Sequence, residues 1–143
     1  MTRLVVDASV AAKWLIDEEG TEAALRLRDP AYDLVGPDLL FLEVGSVVWR
    51  KVHRGEIDGD DGRAMVAAIL DAPLRVELSS ALLPLAWEIA VAHDRSVYDG
   101  VYLALAVAID APLVTADRRL ARAMASTGLA DRVVEIKDLP LPR

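Results

Sequence analysis

From residue 96 onward the chain passes through a polar start, a nearly unbroken apolar run, a break and a short β-branched run. Ser96 precedes Val97-Tyr98-Asp99, and Val101 to Ile109 then carries Leu103, Leu105 and Val107 with Ala104, Ala106 and Ala108 between them. Ala111-Pro112 interrupts before Leu113-Val114-Thr115. The pattern predicts a helix buried on most sides, opened by Ser96 in a near capping box and stopped ahead of the proline. A buried strand of the parallel-sheet type follows. Asp99 falls in the first helical turn, where free amides and the helix dipole favour negative charge. Asp117 follows the strand and precedes Arg118-Arg119-Leu120-Ala121, a further helix start. Taken singly, each aspartate reads first as a cap.

Similar punctuation organises the remainder. Leu4-Val5-Val6 predicts a buried strand ending at Asp7, followed by a helix over Val10 to Ile16. Ser9 is assigned to capping that helix, with support of a metal-bound water as its alternative role. A second helix runs from Thr21 to about Arg28, and Asp33-Leu34-Val35 is a weak strand. Pro37-Asp38 opens a longer helix reaching about Arg54, with Gly55 as its C-cap. Leu40, Val44 and Val47 form the apolar stripe of this helix; Glu43 lies on the flank of the stripe, either as a rim glutamate reaching water or as a carboxylate needing a positive partner. Further helices are expected over Gly59 to Leu70 and over Ala81 to Ala92, the latter capped by Ser79-Ser80. Arg75 to Leu78 and Val133 to Ile136 are strands, and Pro140 to Arg143 is a tail. This alternation predicts one α/β domain over residues 1–143, with a short central parallel sheet flanked by helices on both faces.

Composition narrows the function classes. A length of 143 residues, 54% hydrophobic content and a mean hydropathy of +0.30 suit one folded domain rather than a disordered chain. No apolar stretch reaches the ~18 residues a membrane span requires, and the start of the chain lacks a signal-peptide layout. The expected location is therefore cytoplasmic, with no membrane association. Cysteine is absent, which excludes disulfides and thiolate metal sites. A net charge of −7 argues against nucleic-acid binding through a broad basic surface, yet leaves room for a protein that reaches phosphate through bound cations. The apolar richness hints at a partner or dimer surface.

Four acids share a type of position. Asp7 and Asp117 follow buried strands; Glu43 and Asp99 occupy first or second turns of helices. Parallel strands would place their C-terminal ends along one edge, where open α/β sheets bind ligands. Carboxylates gathered there would raise one another's pKa, and a hard divalent cation would relieve the repulsion. An oxygen-only donor set favours Mg²⁺, with Mn²⁺ as its substitute. Such an ion can activate water and neutralise a scissile phosphodiester.

Four stretches, LVVDAS from Leu4, the FLEVGSVVWR helix around Glu43, YDGVYLALA from Tyr98 and LVTADRRL from Leu113, lie in order across nearly the whole chain. In these the sequence resembles the PIN-domain ribonucleases, specifically the VapC-type toxins of toxin–antitoxin pairs. The resemblance implies an α/β/α sandwich and a metal-dependent endoribonuclease held inactive by a cognate antitoxin, often as a homodimer. It matches Asp7, Glu43, Asp99 and Asp117 to the family's acidic quartet and Thr115 to its small hydroxyl residue. On this reading Asp7 and Asp99 bind the principal metal and Asp117 joins them. Glu43 orients or deprotonates the attacking water, or holds a second ion, and Thr115 fixes a carboxylate. Lys13 and Arg118, ahead of Arg95 and Arg119, are the candidates for contacting RNA phosphates. Trp14 and Trp49 are assigned to core or partner contacts. A receiver-like phosphoacceptor would need paired acids after the first strand, but Ala8 follows Asp7; a dehalogenase-like phosphatase would need an aspartate where Ser9 stands. A PIN-like module acting only through protein contacts is the remaining rival. The RNA target is not encoded in any of these motifs.

Overall fold

The computed structural model describes residues 1–141; Pro142 and Arg143, the end of the expected tail, lie outside the described residues. Five parallel strands form one sheet in the order β3-β2-β1-β4-β5. They are β1 (Thr2–Val6), β2 (Tyr32–Pro37), β3 (Arg75–Glu77), β4 (Leu113–Thr115) and β5 (Val133–Glu135). Parallel pairing needs long crossovers, and seven helices supply them: α1 (Ala8–Ala11), α2 (Thr21–Arg26), α3 (Leu39–His53), α4 (Gly59–Leu70), α5 (Ser79–His93), α6 (Val97–Ala108) and α7 (Arg118–Met124). The α/β sandwich expected from the sequence is thus the fold observed.

Strand order follows burial. Leu4, Val5 and Val6 of β1 are inaccessible, as are Leu113 and Val114 of β4, and these two strands occupy the centre with Val5 opposite Leu113 and Val6 opposite Val114. By contrast all three residues of β3 are exposed and it lies at an edge, where the weaker apolar content of Arg75-Val76-Glu77 is tolerated. The chain lays β2 and β3 to one side of β1 and then returns to lay β4 and β5 on the other. The direction of winding therefore reverses between β1 and β4, and crevices form outside the C-terminal ends of strands at such a reversal.

Several local expectations change. The first helix is a single turn, Ala8–Ala11, followed by a 3-10 turn over Ala12–Trp14. Ser9 does not cap it: Asp7 does, accepting from the Val10 amide at 3.2 Å. Ser79 is likewise not a cap but the first residue of α5. Its amide and hydroxyl both donate to Asp38 Oδ1, which holds the Asp38 carboxyl below the usual carboxylate range and ties the start of α3 to the start of α5. The core stripe of α3 is Leu40, Val44 and Val48 rather than Val47. That phase carries Trp49 outward, 62% exposed and stacked on His53 at 4.9 Å. Trp14 is buried, its indole N–H donating to the Ala24 carbonyl at 2.8 Å. Of the two contacts expected for each tryptophan, Trp14 makes the core one, and the exposure of Trp49 leaves it the partner one.

Helix α6, apolar around most of its circumference, is buried as expected, with seven of its residues from Gly100 to Ala106 inaccessible. It lies against α5 so closely that a Cβ on Gly100 would collide with the Ala86 carbonyl oxygen, a backbone atom with no rotamer to yield. Gly100 adjoins Asp99, so this contact also sets where that carboxylate stands. Substituting Gly100→Ala should force the two helices apart and cost about 1–3 kcal/mol, the range for overpacking a tight core. A fall in the urea midpoint checks this; an unchanged midpoint would mean the helices are not held by that contact.

Candidate active site

Parallel strands end on the same rim, so β1 delivers Asp7 and β4 delivers Thr115 and Asp117 side by side. Asp7 is 6% exposed and sits beyond Val6, which pairs with Val114. Three donors surround its carboxylate: the Ser9 hydroxyl at 2.5 Å, the Val10 amide at 3.2 Å and the Thr115 hydroxyl. Thr115 is fully buried, and its oxygen also accepts the Asp117 amide at 3.0 Å. The Ser9 oxygen accepts the Ala116 amide at 3.0 Å. Two hydroxyls thus stitch the ends of β1 and β4 together through Asp7. Burial nevertheless dominates over these donors, helped by the charge of Asp117, and pushes the Asp7 carboxyl up to about 6.

Asp117 caps α7, its carboxylate accepting from the Arg119 and Leu120 amides at 3.0 and 3.2 Å. Asp99 lies in the first turn of α6, its amide donating to Ser96 Oγ at 3.0 Å. The Arg95 guanidinium donates to Asp99 Oδ2 through Nη2 at 2.9 Å and Nε at 3.2 Å. Arg95 is therefore paired with a carboxylate of the rim. Glu43 rises from α3, half-buried; burial raises its pKa, the nearby Tyr102 phenol opposes this, and the Asp99 charge adds to it.

The four acids therefore stand as two pairs, Asp7 with Asp117 and Glu43 with Asp99, each coupled by charge. Tyr102, which the sequence reading passed over, is buried beside Glu43, and burial with the charges of Glu43 and Asp7 raises its phenol. A signal for it existed: it lies three residues beyond Asp99, on the same helical face, in a run otherwise without polar groups. The donors are carboxylate and hydroxyl oxygens only, the set that suits a hard divalent cation. Among the described residues, however, no three acids converge closely enough to hold an ion with their side chains as placed, so ligation by three of them would need carboxylates to rotate inward.

Clefts open on either side of the Asp7–Ser9–Thr115 cluster. One, of ≈ 470 Å³, is lined by Lys13, Gly20, Asp117, Arg118 and Lys137 among others. Lys13 there binds Glu18 at 3.1 Å and the Glu19 carbonyl at 2.6 Å, and Arg118 faces Glu19 at 3.5 Å. The other, of ≈ 480 Å³, runs beside Glu43 and is lined by Ser9, Leu42, Ser46, Arg50 and Tyr98.

Because the folded-state pKa of Asp7 lies above its ordinary 3.8, the folded protein keeps a proton there that the unfolded chain has lost between about pH 4 and 6. This group favours folding below that window and ceases to do so as pH rises through it. Without metal, Asp7→Asn should flatten that part of the stability profile and be more stable than the parent at pH 8 by up to about 3 kcal/mol. Urea midpoints at pH 4.5 and 8 measure it; a variant less stable at pH 8 would contradict the burial argument.

Comparison with known proteins places the fold. Residues 4–125 match the PIN domain family model. Ribonuclease VapC3 of Pyrobaculum aerophilum is 36% identical over 121 residues, covering 83% of this chain and 92% of the relative. Ribonuclease VapC1 of Mycobacterium tuberculosis is 34% identical, covering 86% and 92%. Among solved structures, PAE2754 from Pyrobaculum aerophilum superposes with a TM-score of 0.73 at 19% identity, covering 95% of this chain and 85% of that one. Mycobacterium tuberculosis VapC20 superposes with a TM-score of 0.65 at 22% identity, covering 84% and 94%. The rim of acids at the winding reversal is thus carried on the fold of these proteins, and the chain belongs to the PIN-domain family, with VapC proteins as its relatives.

Proposed function

We propose that the protein is a metal-dependent endoribonuclease, the toxin of a toxin–antitoxin pair, cleaving RNA at the acidic rim. The observation that carries this reading is the delivery of Asp7 and Asp117 to one rim by the two central strands at the winding reversal, with Glu43 and Asp99 as a second charge-coupled pair. Relatives named ribonucleases, at 36 and 34% identity, support the reaction class. VapC20 is described as a toxin that cleaves the sarcin-ricin loop; for the present chain the proposal reaches only to RNA.

On this proposal Asp7, Asp99 and Asp117 hold Mg²⁺, or Mn²⁺ in its place. A bound ion of this kind neutralises phosphate charge and lowers the pKa of water. Ser9 and Thr115 hold the rotamer of Asp7, the task of groups behind a ligand. Arg95 holds Asp99 by two guanidinium hydrogen bonds until a cation competes for it. Glu43, with its carboxyl raised by burial and by Asp99, accepts the proton of the attacking water as the water oxygen adds to phosphorus and the bond to the leaving ribose oxygen breaks. Lys13 and Arg118, in the cleft beside Asp117, contact RNA phosphates on one side of the scissile bond, exchanging their present carboxylate partners for phosphate. The exposed side chains of Leu42, Trp49, Trp87 and Val91 supply apolar surface for an antitoxin or for a second copy of the chain. No described helix is long and apolar enough to cross a membrane.

A second reading, a PIN-like protein-binding module without activity, draws on the lack of a ready-made three-acid cluster. The two readings separate by experiment. Asp7→Asn and Asp99→Asn should each lower Mg²⁺- or Mn²⁺-dependent RNA cleavage by at least about 100-fold while unfolding stays cooperative. The thermal stabilisation by Mn²⁺ should vanish in Asp99→Asn. Undiminished cleavage in both variants would end the assignment of the ligands, and a parent protein that neither cleaves RNA nor responds to metal would favour the binding module.

A further inference from the structure

The cleft beside Glu43 extends well past the acids. Ser9 and Glu43 line it where it meets the rim, and Ser46, Arg50 and Tyr98 line it farther out. Glu43, Ser46 and Arg50 follow one another at steps of three and four residues, so α3 presents them along one face. Arg50 is exposed, and among the described residues it has no carboxylate partner. That sets it apart in a chain of net charge −7, where Lys13 and Arg118 of the other cleft both face glutamates. Tyr98 lines the same cleft from the first turn of α6, one residue before Asp99, and is 62% exposed. Among the described residues its ring stacks on no other. An exposed tyrosine alone needs no explanation. An uncovered aromatic face and an unpaired guanidinium in one cleft are another matter, because single-stranded nucleic acid is held by such a pairing: a surface for a base and a cation for the backbone.

We propose that this cleft seats the RNA on the side of the scissile bond away from Lys13 and Arg118, Tyr98 stacking on a base beside that bond and Arg50 holding the next phosphate. The inference rests on the nuclease reading above. Continuity with the rim favours RNA as the occupant. A chain cut in its interior leaves the acids in two directions, and the cleft beside Asp117 takes only one of them. Charge favours it as well, since a phosphate reaching Arg50 displaces no carboxylate. At 1.5 Å per residue Arg50 stands about 10 Å along α3 from Glu43, which places it at a neighbouring phosphate rather than at the one between the acids. Both groups therefore hold substrate and take no part in breaking the bond, so their loss falls on affinity.

The test uses the full chain. Cleavage of a mixed-sequence single-stranded RNA pool by the parent with Mn²⁺ is measured first and decides the nuclease reading separately. Given that activity, Tyr98→Ser should raise KM by about tenfold, the scale of one lost base stack, with kcat within about twofold of the parent. Tyr98→Trp should recover most of that loss, because stacking asks only for an aromatic face. Arg50→Ala should flatten the fall of log(kcat/KM) with log[KCl] by about 0.7, the share of one phosphate contact on a single strand, and Arg50→Lys should restore it. Melting temperatures should stay within about 2 °C of the parent, both side chains being exposed. Independently of cleavage, ultraviolet irradiation of the parent in EDTA with a 5-iodouridine version of the pool should join RNA to Tyr98, read by mass spectrometry of the peptides. A KM unmoved by Tyr98→Ser, a loss that Tyr98→Trp fails to recover, or a salt slope unchanged in Arg50→Ala would each overturn the proposal. So would the absence of a crosslink at Tyr98, which together with unmoved kinetics would return the cleft to a segment of a protein partner.

Discussion

One desolvated carboxylate constrains the centre of this molecule. Asp7 follows the buried end of the central strand, and burial of a charge is costly unless hydrogen bonds meet it. The chain answers with the Ser9 hydroxyl, the Val10 amide and the Thr115 hydroxyl, and these partners in turn bind Ala116 and Asp117. The cluster that tolerates Asp7 is thus also the joint between β1 and β4. Stability and the proposed chemistry draw on the same few atoms, and the carboxyl remains raised to about 6. The fold accepts an imperfect solution at the point where a cation would complete it.

Much of the fold was legible because its signals are local. The unbroken apolar run of α6, the proline before β4 and the glycine beyond α3 each mark a boundary through backbone chemistry alone. The four acids were legible for a related reason: strand ends and first helical turns are positions that parallel topology carries to one rim. The misread details all involve partners distant in sequence. Ser9 and Asp7 were both eligible to cap α1; the Ala116 amide, 107 positions away, claimed the serine. Asp38 claimed Ser79 across 41 positions. The exposure of Trp49 turned on a one-residue shift of the α3 stripe, which periodicity over so few turns does not resolve. Tyr102 was hidden by its own aromatic ring, which reads as core and does pack there.

The charge distribution bears on how an acidic protein could meet an acidic polymer. Three cations near the rim are already spoken for: Lys13 by Glu18, Arg95 by Asp99, Arg118 by Glu19. These pairs are at least partly solvent-exposed, so each is weak and easily exchanged. A phosphate arriving at the clefts would replace one carboxylate partner with another anion rather than meet a bare positive patch. Such a surface offers little nonspecific grip on nucleic acid, in keeping with the net charge of −7.

The stitch between Asp7 and Thr115 spans 108 positions, and this has a bearing on synthesis. The central strand leaves the ribosome well before the neighbour that makes its last carboxylate tolerable. Until β4 emerges, β1 has only β2 beside it, and contacts so distant along a chain are slow to form. A growing polypeptide therefore carries Asp7 without the hydroxyl that holds it and without Asp117, so the rim comes into being only after β4 has emerged.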